Sequence, residues 1–232
     1  PIGATAGFGA RHIVDLEASG GKPLRETRLA LIRHAETATP DLFHGAESDV
    51  DLSAWGARQA LALADRLKAG GAVAVYSSAM RRAVATAGPI AGALGLDPVA
   101  VPELHERKIG PLSGLSRQDG WAVYEESKRR WMAGDVEFTH PGGESFAAIA
   151  RRVAPVLEGL RSRHAGGRLI VVAHGIVIRA ALLTLLPDKT PADFDRIAID
   201  FASINELVHD GERWRAEALN VVVAPSSSRP VA

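Results

Sequence analysis

The sequence predicts a layered α/β domain built around a mainly parallel sheet. Between residues 28 and 220, hydrophobic runs of strand length alternate with amphipathic stretches of helix length, the pattern of a chain that returns to one sheet through helices. At 232 residues, with 47% hydrophobic and 23% charged side chains, the chain can bury one sizeable core. Neither an internal repeat nor a linker interrupts 28–222, so that span reads as one domain, flanked by an N-terminal arm over 1–27 and a Ser/Pro-rich tail over 223–232.

The elements follow in order. RLALIR, from Arg28 to Arg33, is a short apolar run suited to a buried strand. Ser53 is positioned to cap a helix in which Trp55, Ala60, Leu63, Ala64 and Leu67 fall near one face, and Gly70-Gly71 stops it. AVAVY at 72–76 is a second strand, and AMRRAVATAGPIAGAL a second helix expected to be interrupted or kinked near Pro89. A helix from about Glu144 to His164 precedes RLIVVA at 168–173, the clearest strand in the chain. IVIRAALLTLL then forms a helix apolar nearly all round, and a hairpin turns at Asp210-Gly211.

Composition excludes several functions. Lys plus Arg and Asp plus Glu both number 27, so no overall field favours nucleic acid, and any anion must be held by a local cluster of Arg and His. With no cysteine, disulfides, thiolate catalysis and Cys-ligated metals are ruled out, and no His/Glu spacing of the HExxH kind suggests a metal site. No secretory leader pattern is visible and no run of about 18 apolar residues occurs, so no membrane association and a cytoplasmic protein are expected.

Chemistry concentrates at strand ends. LALIRHAET leaves its strand through Arg33 and His34, LIVVAHG through His174 and Gly175, and VYSSAMRR brings Ser77, Ser78 and the pair Arg81-Arg82 to the same edge. Ligands of open parallel sheets bind just beyond the carboxyl ends of the strands, so these side chains can meet in one crevice. Two histidines and several arginines make an anion pocket that needs no metal or other cofactor. Phosphoryl transfer calls for such a set: donors around the equatorial oxygens, a neutral imidazole nitrogen in line with phosphorus, and an acid for the leaving alcohol.

These residues resemble the histidine phosphatase superfamily, of the phosphoglycerate mutase type. Arg33-His34-Ala35-Glu36-Thr37 is similar to that family's RHGET signature, with Ala35 in place of glycine. DLSAWGARQA, SSAMRRAVATA, LHERKIGPLSG, PGGES and VVAHGIVIRA then follow in the family's order, covering about 28 to 185. The resemblance implies a three-layer α/β/α fold in which His34 accepts the phosphoryl group, Arg33, Arg82 and His174 clamp its oxygens, and Glu106 rather than Glu103 is the acid. It also aligns Arg82, not Arg81, with the pocket. Thr37 and Gly175 would join the phosphate contacts, and Glu36 would orient His34 or line the pocket. Pro40 stands where many relatives carry an asparagine, so one expected hydrogen bond is missing.

The stretch between Glu106 and Pro141 is short beside the long insertion that mutases of this family carry, which favours hydrolysis of a small phosphorylated substrate over mutase transfer. A non-catalytic phospholigand-binding protein is the alternative from another class, and the full set of nucleophile, second histidine, arginines and acid argues against it. The insertion at about 111–140 is expected to be helical. It carries Trp121, Tyr124, Trp131 and Phe138, which could shape the pocket or pack on the core, and Lys128-Arg129-Arg130, read as a solvated face. His44 and His105 are further candidates for the pocket. The remaining histidines, His12, His140, His164 and His209, read as surface or structural. The apolar helix after His174 leaves room for a homodimer.

Overall fold

A computed structural model describes residues 26–225; nearly all of the expected N-terminal arm and most of the expected tail lie outside the described residues. Its elements are β1 (Thr27–Arg33), α1 (Ala54–Leu67), β2 (Ala74–Ser78), α2 (Arg81–Leu94), β3 (Pro98–Val101), α3 (Arg117–Met132), α4 (Phe146–Arg163), β4 (Arg168–Ala173), α5 (Gly175–Leu185), β5 (Ser203–His209) and β6 (Trp214–Val222). The six strands form one sheet in the order β3-β2-β4-β1-β5-β6. The first four in that order run parallel, and β5 and β6 close the sheet as an antiparallel hairpin. The α/β reading with a mainly parallel sheet therefore stands, and the parallel part is the part that carries the strand-end histidines.

The alternation of side chains along the strands builds the three layers. Leu29 and Leu31 of β1 and Leu169 and Val171 of β4 face a core completed by α4 and α5, with Trp131 and Phe194. Ala30 and Ile32, Ile170 and Val172 face the opposite way, onto α1 and α2. Both faces of β1 and β4 are covered, as their Leu/Ile/Val runs require. No helix among the described residues is long and apolar enough to cross a membrane.

Caps and turns match the sequence closely where local chemistry sets them. The Ser53 side chain accepts the Gly56 N–H at the start of α1, and the Ser145 side chain does the same for Ala148 in α4. In the β5–β6 hairpin, the Asp210 carboxylate accepts the N–H groups of Glu212 and Arg213, both at 2.9 Å. Two departures have physical causes. The kink expected near Pro89 does not break α2, which runs through it to Leu94. Pro89 removes the bond to Ala85, and Ala85 is exposed, so water reaches the freed carbonyl. The sequence reading also lacks β3, a four-residue edge strand that begins with proline and is exposed along most of its length.

Candidate active site

β1 and β4 are neighbours in parallel register, with Arg33 opposite Ala173. The next residue of each strand is a histidine, so His34 and His174 leave the sheet side by side. Their ring centroids are 5.1 Å apart, and they are 4% and 0% exposed. The Nδ1 of His34 lies 2.8 Å from the Ala35 carbonyl. A carbonyl can only accept, so Nδ1 carries the ring proton and Nε2 presents the lone pair.

The loop after His34 is held from both helices on that face. Thr86 of α2 accepts the Ala35 N–H at 3.0 Å, Gln59 of α1 accepts the Glu36 N–H at 2.9 Å, and the Glu36 carbonyl takes the Ser53 N–H at 2.9 Å. Gly56 makes this approach possible: a Cβ there would stand 2.0 Å from the Glu36 carbonyl oxygen. Among the described residues the non-glycine positions with positive φ are Ala202 and Asn220. Ala35, which replaces the more usual glycine, therefore fits without backbone strain.

Cations surround the two rings. Arg33 donates to the Ile199 carbonyl at 2.7 Å and lies with its guanidinium 3.9 Å from the centre of the Phe201 ring. Arg82, fully buried, donates to the carbonyls of Ser48 at 2.9 Å and Gly45 at 3.4 Å, while Arg81 is exposed beside Asp51. The buried Nε atoms of Arg33 and Arg82, both ring nitrogens of His174 and the Thr37 hydroxyl have no hydrogen-bond partner within the protein. Buried donors are rarely left so, and several converging on one spot suit an anion. His174 is also the N-cap of α5, whose first N–H groups have no side-chain cap, and the positive end of that helix adds to the same field.

Burial sets the protonation states. It pushes both His34 and His174 well below the ordinary histidine value, and the charges of Arg82 and Arg33 push the same way, so both rings are neutral at pH 7. Burial likewise lowers Arg33 to about 10, and Glu106 partly opposes it.

A cavity of about 230 Å³ opens onto this cluster. Arg33, His34, Thr37, His44, Glu106 and Gly175 line it, as does Pro40. Arg82 and His174 are fully buried and not among the lining residues, and both lie within electrostatic reach of His34. Glu106 is buried, lines the cavity and accepts the Arg107 N–H at 2.8 Å through Oε1, whereas Glu103 is exposed. His44 is fixed by the Thr39 carbonyl at 2.9 Å and the Ser48 hydroxyl at 3.0 Å. Two candidates stand apart from the lining. His105 does not line the cavity, because its Nδ1 is turned back to the Glu106 carbonyl at 2.7 Å. The Glu36 carboxylate accepts the Ser53 hydroxyl at 2.9 Å at the start of α1, and Glu36 is not among the residues that line the cavity.

The insertion divides its aromatics. Trp121 and Tyr124 of α3 line the cavity, while Trp131 is fully buried in the core and donates to the Phe138 carbonyl. Lys128 pairs with Glu125 and Asp195, and Arg130 with Asp135 while lying over the Phe138 ring; none of the three lines the cavity, and only Arg129 is fully exposed, so the run is less solvated than expected. The sequence reading missed Phe201, Arg107, Arg117 and Arg179, all cavity residues. Arg179 had a signal: it lies four residues after Gly175, one turn along the same helix face. Phe201 comes from a loop far along the chain and had none.

That loop is itself anchored. Asn220, at φ 52°, exchanges two hydrogen bonds with Asp200, from the Asp200 N–H and to the Asp200 carboxylate, both 2.7 Å. The Asn220 N–H donates to Asn205, whose side chain donates to the Leu31 carbonyl in β1. Ala202, also at positive φ, donates its N–H to the His34 carbonyl at 3.3 Å.

Comparison with known proteins agrees with this geometry. The description Histidine phosphatase superfamily (branch 1) matches residues 29–222. The metal-independent phosphoserine phosphatase of Arabidopsis thaliana is 38% identical over 164 residues, 68% of each chain. Phosphoserine phosphatase 1 of Hydrogenobacter thermophilus is 34% identical over 160 residues, covering 68% of this chain and 76% of that protein. Among solved structures, mycobacterial glucosyl-3-phosphoglycerate phosphatase is similar with a TM-score of 0.74 and 28% identity, over 84% of this chain and 99% of that one.

Proposed function

The chain belongs to the histidine phosphatase superfamily, branch 1, and from that premise we propose that it is a metal-independent phosphomonoesterase that hydrolyses a small phosphorylated metabolite through a phosphohistidine on His34. One observation carries this reading: His34 has its Nδ1 proton held by Ala35, its neutral form enforced by burial, and its free Nε2 set among Arg33, Arg82 and His174.

In this mechanism Nε2 attacks phosphorus in line, and the bond from phosphorus to the ester oxygen breaks as the N–P bond forms. Arg33, Arg82 and His174 take the charge on the equatorial oxygens, where preorganised donors act best. Glu106 gives its proton to the departing alkoxide, then removes one from the water that attacks the phosphohistidine. The N–P bond breaks, inorganic phosphate leaves, and both groups return to their starting states. The Ala35 carbonyl stabilises the phosphohistidine throughout, because the Nδ1–H that it accepts becomes more acidic when Nε2 is bonded.

The test is phosphate release from a panel of phosphomonoesters with EDTA present, for the native chain and for His34→Ala. The expected result is chelator-resistant turnover reduced by at least about 10³-fold in the variant, whose far-UV circular dichroism is unchanged. Phosphoryl transfer between positions of phosphoglycerate, with little phosphate released, would instead assign the mutase reaction. Turnover that survives in His34→Ala would remove the histidine from the role of nucleophile.

A further inference from the structure

Glu106 stands on a stretch of backbone without regular structure, since residues 105–108 belong to neither a helix nor a strand. A general acid has to keep its proton within hydrogen-bond reach of the leaving oxygen, so bonds other than a ladder must fix this loop. The N–H groups that follow Glu106 are taken by carboxylates. Arg107 donates to Glu106 itself at 2.8 Å, Lys108 to Glu144 at 2.9 Å, and Ile109 and Gly110 to Glu47 at 3.0 and 2.8 Å.

Glu144 grips the loop through its main chain as well. Its N–H donates to the Lys108 carbonyl at 2.8 Å, and its carbonyl accepts from the Arg107 Nε at 2.9 Å. Its carboxylate is locked in turn by the fork of Arg152, Nε to Oε1 at 2.8 Å and a terminal nitrogen to Oε2 at 3.0 Å, and the two side chains are 14% and 16% exposed. Arg152, in the second turn of α4, also donates to the Glu103 carbonyl at 2.6 Å and to the Glu106 carbonyl at 3.5 Å. Burial pushes the Glu144 carboxyl up, but the Arg152 fork and the Lys108 N–H hold it below the ordinary carboxylate value, so it is ionised at neutral pH and accepts all three bonds. Glu47 comes from another segment. Gly45 gives it room to fold back, since a Cβ there would stand 2.4 Å from both the Glu47 carboxylate and the Ile109 side chain. The Ala46 N–H adds a bond to the Arg107 carbonyl at 3.1 Å, and Gly45 and Ser48 on either side give their carbonyls to Arg82, so the phosphate clamp and the acid share one support. Glu47, Glu144 and Arg152 are not among the residues that line the cavity.

We propose that Glu144, locked by Arg152, and Glu47 are positioning residues for the acid: they hold the backbone on which Glu106 stands, and so keep its carboxyl at the leaving oxygen without touching the substrate. Small displacements of a reacting group are costly, which is why an irregular loop at this place carries so many charged bonds. This inference rests on the phosphatase reading above and on the acid role that it gives Glu106.

The test uses three monoesters of similar shape whose leaving groups grow steadily poorer: p-nitrophenyl, phenyl and benzyl phosphate. The ratio of kcat/KM between the first and the last reads proton donation, and inhibition by inorganic phosphate reads the clamp. Glu144→Gln keeps the shape but turns an amide N–H toward one of its donors; it should widen the ratio by about 10- to 100-fold, as a shift of the acid by about an ångström would, and leave phosphate inhibition in place. Breaking a buried pair also weakens the fold, so Glu47→Ala is the second variant, at an exposed residue whose carboxylate bonds backbone N–H groups. It should widen the ratio in the same direction, and Glu47→Gln, whose one carbonyl oxygen can accept both N–H groups, should restore most of it. In a Glu106→Gln background, Glu144→Gln should add nothing to the ratio, because the group that it positions is gone. A ratio that both variants leave at its native value, an equal fall for all three esters with phosphate inhibition lost, or a full additive effect in the Glu106→Gln background would overturn the positioning role. Absence of p-nitrophenyl phosphate turnover that depends on His34 would overturn the phosphatase reading itself, a separate result.

Discussion

His34, His174 and Arg82 are no more than 4% exposed, whereas Trp121, on the insertion that faces them, is 46% exposed and Arg117 beside it stands at the surface. The deep region is fixed from every side: two helices bind the loop after His34, a parallel strand pair sets the two rings, and a third loop holds Arg33. The insertion bounds the cavity nearer the surface, tied to the 41–43 loop by backbone bonds of Gly114, Leu115 and Arg117, with Arg117 also reaching Pro40 and Tyr124 tilted against Phe43. A reaction that tolerates little displacement needs the first kind of construction. Choosing among alcohols needs only that the wall be of the right shape and charge, and an outer wall can change without disturbing the chemistry.

Glu106 sits on the boundary, and its replacement should have the largest effect. Glu106→Gln is expected to slow poor leaving groups by about 10²–10⁴-fold while affecting p-nitrophenyl phosphate much less, since a good leaving group needs no proton. Equal and small effects on both would take the acid role away from this residue. Gly56→Ala probes the deep region without touching a reacting atom. Its methyl would meet the Glu36 carbonyl, so an overpacking cost of about 1–3 kcal/mol is expected, read as a Tm lower by several degrees. A Tm within one degree of the native chain would show that the loop is looser than its hydrogen bonds imply.

Acid should act on the deep region too. His34 and His174 are held below their ordinary value of 6.5 in the folded chain, so below that pH the unfolded chain binds protons that the folded one refuses. Their stabilisation is therefore complete above about pH 6.5 and is lost as the pH falls, by up to about 1.4 kcal/mol per unit for each ring. Urea midpoints measured between pH 7.5 and 5.5 should drop for the native chain and drop less for His34→Ala; parallel curves would mean the two rings are not the cause. Smallest is Trp121→Ala, where stability should stay within about 0.5 kcal/mol while KM shifts for the preferred substrate. A loss of several kcal/mol there would erase the distinction between core and wall.

How far the sequence could be read follows the same division. The strand-end histidines were legible because short Leu/Ile/Val runs admit few alternatives between helical stretches, and ligands gather where such strands end. Ser53 and Asp210 were legible because their caps and turns are made within a few residues. β3 was not, since a four-residue exposed edge that opens with proline has no apolar run to mark it. His105 and Glu106 show why an irregular loop resists such reading, since its neighbours need not share a direction: Glu106 lines the cavity, while the Nδ1 of His105 is turned to the Glu106 carbonyl. Arg117 and Phe201 reach the site only through the packing of distant segments, which no local pattern records. Arg179 is the case between: it was passed over, although helical spacing from Gly175 puts it on the right face.

The hydrogen-bonded path from Leu31 through Asn205 and Asn220 to Asp200 has a bearing on biogenesis. A chain that has emerged only as far as Leu185 already holds all four parallel strands, both histidines and Glu106. It still lacks the Ile199 carbonyl and the Phe201 ring that aim Arg33, and the β5–β6 hairpin that locks their loop. His34 thus precedes the groups that aim its neighbouring arginine by most of the molecule's length, and the pocket is complete only once the last hairpin has docked.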